Sequence, residues 1–323
     1  MKRSIRQMLV AAAAACVLCP AMGQTFPDRP VHVVVPQLPG GSSDLIGRIL
    51  AEYLREKWKQ PVLIENRVGA NGNIGTDYVA KSAPNGYTWL LTYSGSHAIN
   101  PALYKKLPYD PQRDLIAVAT VAQLPFVLVS HPDLPVRDVK DLVALAKSKP
   151  GQLNYGAQNG AINHLIGEIF NRTAGVKTVQ IPYKGAPDSL VDTVSGLLQF
   201  NYASLGSVIQ FIRSNKVRPL AVTSAKRSAF LKDVPTVAEA GYPALTTDSW
   251  WGILLPTGTP PDIVNKINAD VNEALRRPEL MTRFATFGAE PYLTSPEQFA
   301  KVANDDIVRF RAIVEQSGVR SEQ

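Results

Sequence analysis

Val31-His32-Val33-Val34-Val35, then Pro36-Gln37-Leu38-Pro39-Gly40-Gly41-Ser42-Ser43, then Asp44-Leu45-Ile46-Gly47-Arg48-Ile49-Leu50-Ala51-Glu52-Tyr53-Leu54: this stretch decides the architecture. The first segment reads as an apolar run, the pattern of a strand buried on both faces. The second is a Pro/Gly/Ser loop. In the third, Leu45, Ile46, Ile49, Leu50, Tyr53 and Leu54 recur at helical spacing. Ser43 is the predicted N-cap and Asp44 a favourable first-turn acid. Together they make one strand–loop–helix unit.

The same alternation continues along the chain. Strands are predicted at 62–65, 88–93, 116–122, 126–130, 153–157, 198–202, 220–223 and 252–255. Gly69, Gly72 and Gly75 mark a glycine-rich turn. Asp138 is placed to cap a helix that stops at Pro150-Gly151, and a further helix is predicted over 163–173. Thr259-Pro260-Pro261-Asp262 and Ser295-Pro296-Glu297-Gln298 each read as a cap, an N1 proline and an acid or amide beyond. Strands alternating with helices predict an α/β fold with largely parallel sheets. No Pro/Gly-rich linker separates two sequential halves, which points to discontinuous domains joined by crossing strands.

The totals agree. A chain of 323 residues is long for one core and comfortable for two domains. At 45% hydrophobic and 19% charged residues it has the composition of a folded globular protein. Its start is read as an export signal. Lys2, Arg3 and Arg6 precede a short apolar run, and Ala21-Met22-Gly23 supplies small residues for cleavage. The signal is placed at 1–23 and the mature chain is expected to begin near Gln24, in the periplasm. Cys16 and Cys19 fit a lipidation site badly and leave with the signal, so the mature chain has no cysteine for a disulfide, a thiolate metal site or a nucleophile. Removing those three positive charges takes the formal net charge from +7 to +4. The remaining Lys and Arg are scattered, so no nucleic-acid surface is expected; the mild excess favours anions.

Catalytic signatures are missing. There is no P-loop, no G-x-S-x-G elbow and no H-E-x-x-H. His32, His97, His131 and His164 are not paired at ligand spacing, so no metal or cofactor is predicted. Ser42, Ser94 or Ser96 with His97 or His164 remain as candidates for a triad assembled in space.

Three loops share a different character. Segments 37–43, 94–97 and 158–163 each follow a strand, are rich in Gly, Ser, Asn or Gln, and lead toward a helix. A helix N-terminus offers unpaired N–H groups and a partial positive charge, so it can hold a carboxylate without Lys or Arg. In open α/β sheets ligands lie where such loops lie. Taken singly, each loop is an ordinary strand-to-helix turn; the set of three carries the prediction. The candidate ligand residues are Gln37, Gly40, Gly41, Ser42 and Ser43 from the first loop and Ser94, Ser96 and His97 from the second. The third supplies Gln158, Asn159, Gly160, Ala161 and Asn163, and Ala203 with Ser204 complete the set.

The chain also resembles a known family. Pro27-Asp28-Arg29-Pro30, Glu65-Asn66-Arg67, Gly72-Asn73-Ile74-Gly75, Leu107-Pro108-Tyr109-Asp110, Pro182-Tyr183-Lys184-Gly185 and Asp233-Val234-Pro235-Thr236-Val237 follow the order seen in Bug-type (TctC-like) solute-binding proteins of tripartite tricarboxylate transporters. The resemblance implies a two-domain, type II-like periplasmic binding protein that closes like a Venus flytrap. Residues 24–123 plus 225–323 would form domain 1 and 124–224 domain 2. It implies no enzymatic activity, a monomer, transporter subunits in the membrane as partners, and a ligand carboxylate held with ordered water by loops 37–43 and 158–163.

The sequence departs from that pattern in three places. Gln37-Leu38 replaces a usual Phe-Pro. Ala161-Ile162 replaces hydroxyl residues, and Ala203 stands where an aspartate is common. An amino acid is therefore not the expected ligand, since no acid awaits its ammonium. An aromatic or aliphatic dicarboxylate against an apolar wall of Ala161, Ile162 and Ala203 is expected, terephthalate being one candidate. A sensory binding protein with the same site, and an exported serine hydrolase, are the alternatives.

Overall fold

The computed structural model describes residues 26–319. The predicted export signal and both cysteines lie outside them. Among the described residues no helix is long and apolar enough to cross a membrane.

The opening stretch folds as read. Strand β1 (Val31–Val35) leads through the loop into helix α1 (Ser42–Trp58), and β2 (Val62–Asn66) and β3 (Thr88–Tyr93) lie parallel to it on either side. Gly69 to Gly75 is the turn into α2 (Asn73–Ala80), entered through a short 3-10 turn. After β3 comes a single wide π-helical turn, Gly95–Ile99, and then α3 (Asn100–Leu103).

The next strand gives the molecule its two-lobed form. Instead of two strands at 116–122 and 126–130, β4 runs unbroken for 16 residues, Leu115–Ser130. Its first part, to Pro125, pairs with β9 (Asp248–Pro256); from Phe126 on it pairs with β7 (Phe200–Ser204) and β8 (Arg218–Val222). The second lobe adds α4 (Val139–Ser148), β5 (Asn154–Ala157), α5 (Ile162–Ala174), β6 (Val179–Pro182), α6 (Ala186–Val194) and α7 (Leu205–Arg213). The chain returns through β9 to α8 (Pro261–Leu275), α9 (Pro278–Thr286), the two-residue β10 (Glu290–Pro291) and α10 (Pro296–Ser317). The strand order is β2-β1-β3-β9-β4-β7-β5-β6, with β8 and β10 also paired to β4.

The expectation of largely parallel sheets needs correcting at the centre. Parallel pairs occupy the flanks of both lobes, but β9 is antiparallel to β3 and β4, and β7 and β8 are antiparallel to β4. The cause is the crossover: β4 carries the chain out to the second lobe and β9 brings it back. Between them, Thr236 bridges to Val222 and Tyr242 packs edge-on against Phe170 of α5, centroids 5.9 Å apart.

Two predicted caps form and two do not. Asp138 accepts from the backbone N–H of Asp141 at 2.8 Å, and Ser295 with Gln298 makes a reciprocal capping box. The N-cap of α1 is Gly41 rather than Ser43, because the helix starts earlier and the Ser43 hydroxyl is engaged elsewhere. At α8 Pro260 is the N-cap, and the Thr259 hydroxyl turns back to the carbonyl of Pro256.

Candidate functional site

Four helices begin at the seam between the lobes, and none of them has a side-chain cap. Their N-caps are Gly41 for α1, Ala161 for α5, Gly185 for α6 and Ser204 for α7. Gly41, Ala161, Gly185 and Ser204 all line one narrow cavity of about 70 Å³. Each uncapped start leaves first-turn N–H donors unsatisfied and adds a partial positive charge. At α6 one donor is missing, because Pro187 stands in the first turn. The first lobe contributes one such end and the second contributes three, so an anion in the cavity is met from both sides.

Side chains complete the lining. Ser42 Oγ lies 2.8 Å from Ser204 Oγ and 3.3 Å from Ser207 Oγ, a hydroxyl cluster spanning the seam. The lobes approach this closely because residue 206 is glycine; a Cβ there would lie 2.5 Å from Ser42 Oγ. Gly185 plays the same part against Leu38, whose Cδ1 would be 2.8 Å from an added Cβ. Trp251 donates from Nε1 to Ser43 Oγ at 2.9 Å and stacks on Tyr93 with centroids 5.6 Å apart. The apolar wall is built from Ala161, Ile162, Phe126, Val68 and Leu38.

Among the described residues no acid lines the cavity. Asp44 comes nearest in sequence, in the first turn of α1, but it is turned into a clamp. Arg48 grips it through Nε and an Nη, both at 2.9 Å, and the Gly40 N–H donates to it at 3.0 Å. Burial raises its pKa, yet the hydrogen bonds from Arg48 and Gly40 outweigh that and hold it below the usual carboxylate value. Lys184 is the only lysine or arginine lining the cavity, and it has no ion-pair partner among the described residues. Arg67 is held by Glu65 and lies over the Tyr78 ring.

Of the residues predicted from sequence, Gln37, Gly41, Ser42, Ser43, Gln158, Ala161, Asn163 and Ser204 line the cavity. Gly40 does not, and its N–H is spent on Asp44. The 94–97 loop is a correction: it is a buried helical turn behind the wall rather than an open strand-to-helix loop. Ser96 reaches the site only indirectly, by accepting from Gln37 Nε2 at 3.1 Å; Ser94 has no partner. His97 packs edge-on against Trp250, and burial pushes its imidazole down to about 4, so it is neutral near pH 7. Asn159 accepts from Gln180, the Gly160 carbonyl accepts from Asn71 of the first lobe at 3.2 Å, and Ala203 is sealed in β7 opposite Val127. The expected wall thus keeps Ala161 and Ile162 but loses Ala203 to the sheet.

Lys184, Gly185, Ala186, Pro187 and Ser207 were missed as site residues, although Lys184-Gly185 was already in view as a family segment. Ser204-Leu205-Gly206-Ser207 repeats the signature used for the first loop, a strand running into Ser and Gly and then a helix.

No serine hydrogen-bonds a histidine among the described residues; Ser42 is bonded to serines and Ser96 to Gln37. Nor, among those residues, is there a cluster of three His, Cys, Asp or Glu side chains arranged for a metal ion.

Two α/β lobes joined by crossing strands and closed over a central cavity make this a two-domain binding protein of the periplasmic type. Residues 46–319 match the model of the tripartite tricarboxylate transporter family receptor, and the chain belongs to that family. It is 37% identical over 310 residues to Protein BugT of Bordetella pertussis, an alignment covering 95% of each chain. The solved structure of Rpa4515 from R. palustris with adipate superposes with a TM-score of 0.88 at 35% identity, covering 91% of this chain and 99% of that one. MatC from Rhodopseudomonas palustris with bound malate gives 0.84 at 30% identity, covering 90% and 100%.

Proposed function

We propose that this protein captures a small organic dicarboxylate outside the cytoplasmic membrane and hands it to membrane subunits of a tripartite tricarboxylate-type transporter, acting as a monomer and without chemistry. The observation that carries this reading is the convergence of four uncapped helix N-termini on a cavity with one lysine and no acid. Such a lining attracts negative charge and offers no carboxylate to the ammonium of an amino acid, while the apolar wall suits a carbon spacer. The adipate and malate seen in two related structures belong to the same chemical class; terephthalate stays a candidate. A hydrogen bond to a charged group contributes about 1.5–3 kcal/mol, so three or four, less the cost of closure, reach micromolar affinity near −8 kcal/mol.

The domain division belongs to the same proposal. The change of β4's partners after Pro125 supports a first divide close to the 123/124 limit. The pairing of Thr236 with Val222 and of Tyr242 with Phe170 supports taking the second at the start of β9 rather than at 224/225. A sensory protein would use the same site with another membrane partner. A hydrolase would need a Ser–His pair, which the described residues lack.

The test is a thermal-shift and calorimetry panel on refolded, ligand-free protein, with terephthalate, adipate, malate, citrate, benzoate, aspartate and glutamate. A ligand that binds only the folded state raises Tm by mass action. Selective stabilisation by a dicarboxylate supports capture; tight aspartate or glutamate binding with the diacids ignored overturns the ligand class.

A further inference from the structure

The cavity does not stand alone. A second space of about 660 Å³ opens beside it, lined by Tyr104, Asn71, Asn159 and Tyr183 among others. Leu38, Val68, Gln158 and Lys184 line both spaces, so only those four residues stand between the two. Among the described residues no acid lines either space, and Lys184 is the only lysine or arginine that does.

Size decides what each space can take. Enclosed space costs roughly 10–15 Å³ per water-sized group. The inner 70 Å³ therefore takes a carboxylate and a few carbons, not a whole long diacid. An elongated ligand whose first carboxylate lies on the helix ends must pass its remaining length between Leu38, Val68 and Gln158. Lys184, which lines both spaces and is in no ion pair among the described residues, is the cation available to its far end. The outer space is open to solvent and its polar groups are neutral, so Lys184 is the one charge that distinguishes an ionised far end from a methyl group.

Resting on the dicarboxylate reading above, we propose that the cleft is a two-chamber ruler. The inner chamber binds one carboxylate of any acid, and Lys184 at the junction pairs with the second carboxylate of linear or para-substituted diacids long enough to reach it. Lys184 is the residue that selects long diacids over monoacids of equal length.

The test is calorimetry on ligand-free wild type, Lys184→Met and Lys184→Arg, with linear diacids from succinate to azelate, terephthalate, and the monoacid matching each. Lys184 is exposed, so the substitutions leave the fold intact, and ligand-free melting curves check that. For adipate and longer diacids, Lys184→Met is expected to weaken binding about tenfold, which is about 1.4 kcal/mol. The matching monoacids change by less than about twofold, and Lys184→Arg restores the diacids. Equal loss for monoacids and diacids, or no loss for either, overturns the ruler while leaving carboxylate capture standing. If the wild type binds neither series, both readings fall.

Discussion

Trp251 and Ser43 are 208 residues apart in sequence and joined by a hydrogen bond of 2.9 Å from the indole Nε1 to the hydroxyl oxygen. Because the indole can only donate, the serine oxygen must accept, and its proton is left to donate elsewhere. The cavity is what lies beside it. A strand of the return crossover thus fixes the orientation of a donor on the first helix. Trp251→Phe keeps most of the apolar contact with Tyr93 but frees the hydroxyl to rotate. The expected result is a loss of ligand affinity of about tenfold, with stability lowered by about 1–2 kcal/mol for the lost buried hydrogen bond and the smaller ring. Calorimetry and urea denaturation measure the two separately; unchanged affinity would mean that Ser43 does not face the ligand.

Gly206→Ala tests closure. A methyl group there would sit 2.5 Å from Ser42 Oγ, across the seam. The lobes are expected to be held apart, seen as a larger radius of gyration in solution scattering with ligand present and as affinity reduced tenfold or more. A variant that closes and binds like wild type refutes the role given to this contact.

Ala161→Asp separates stability from function. Asp is a preferred N-cap, and α5 has none, so the substitution is expected to stabilise the ligand-free protein by about 0.5–1 kcal/mol. The same carboxylate lies in the cavity wall and repels an anionic ligand, so binding of every diacid is expected to disappear. Higher Tm without ligand and no ligand-induced shift is the paired signature; retained binding contradicts the anion site.

Acid is expected to weaken the fold through His97. Burial depresses its folded-state pKa to about 4 from the ordinary 6.5. A depressed histidine favours the fold fully above the ordinary value, and that contribution is lost as pH falls from 6.5 toward 4. The gap corresponds to roughly 3 kcal/mol. Burial lowers His164 as well, so it acts with the same sign. Urea denaturation at pH 7 and pH 4.5 measures the slope, and His97→Gln is expected to flatten much of it. Identical slopes in the two proteins would remove His97 as the cause.

What the sequence shows and what it hides divide along a physical line. Local signals were legible: the run from Val31 into α1, the Asp138 cap, the Ser295 box and the helix after Gly160 all depend on residues a few positions apart. The loops 37–43 and 158–163 were legible as strand-to-helix turns for the same reason. The loop 94–97 shares their composition but is buried, because β3 runs into a π-helical turn packed under α10. Two of the four converging helix ends were hidden. The four-residue β6 ends in Pro182 and gives too short a pattern to announce α6. The strand–Ser–Gly signal at Ser204 was present but unread. Convergence itself is tertiary; no spacing along the chain shows that Ser42 and Ser204 meet. The apolar wall is half-legible for the same reason, since only the packed structure reveals that Ala203 is buried in the sheet and does not line the cavity.

The unbroken run of β4 has a thermodynamic consequence. Where lobes are linked by flexible tethers, each can melt alone, leaving a half-folded intermediate with an exposed cleft. Here one 16-residue strand is hydrogen-bonded into both sheets, and β9 is paired beside it. Unravelling either sheet strips partners from a strand that the other still needs. The same strand that changes partners after Pro125 therefore welds the lobes into one cooperative unit, so calorimetric melting is expected as a single peak whose area accounts for the whole molecule.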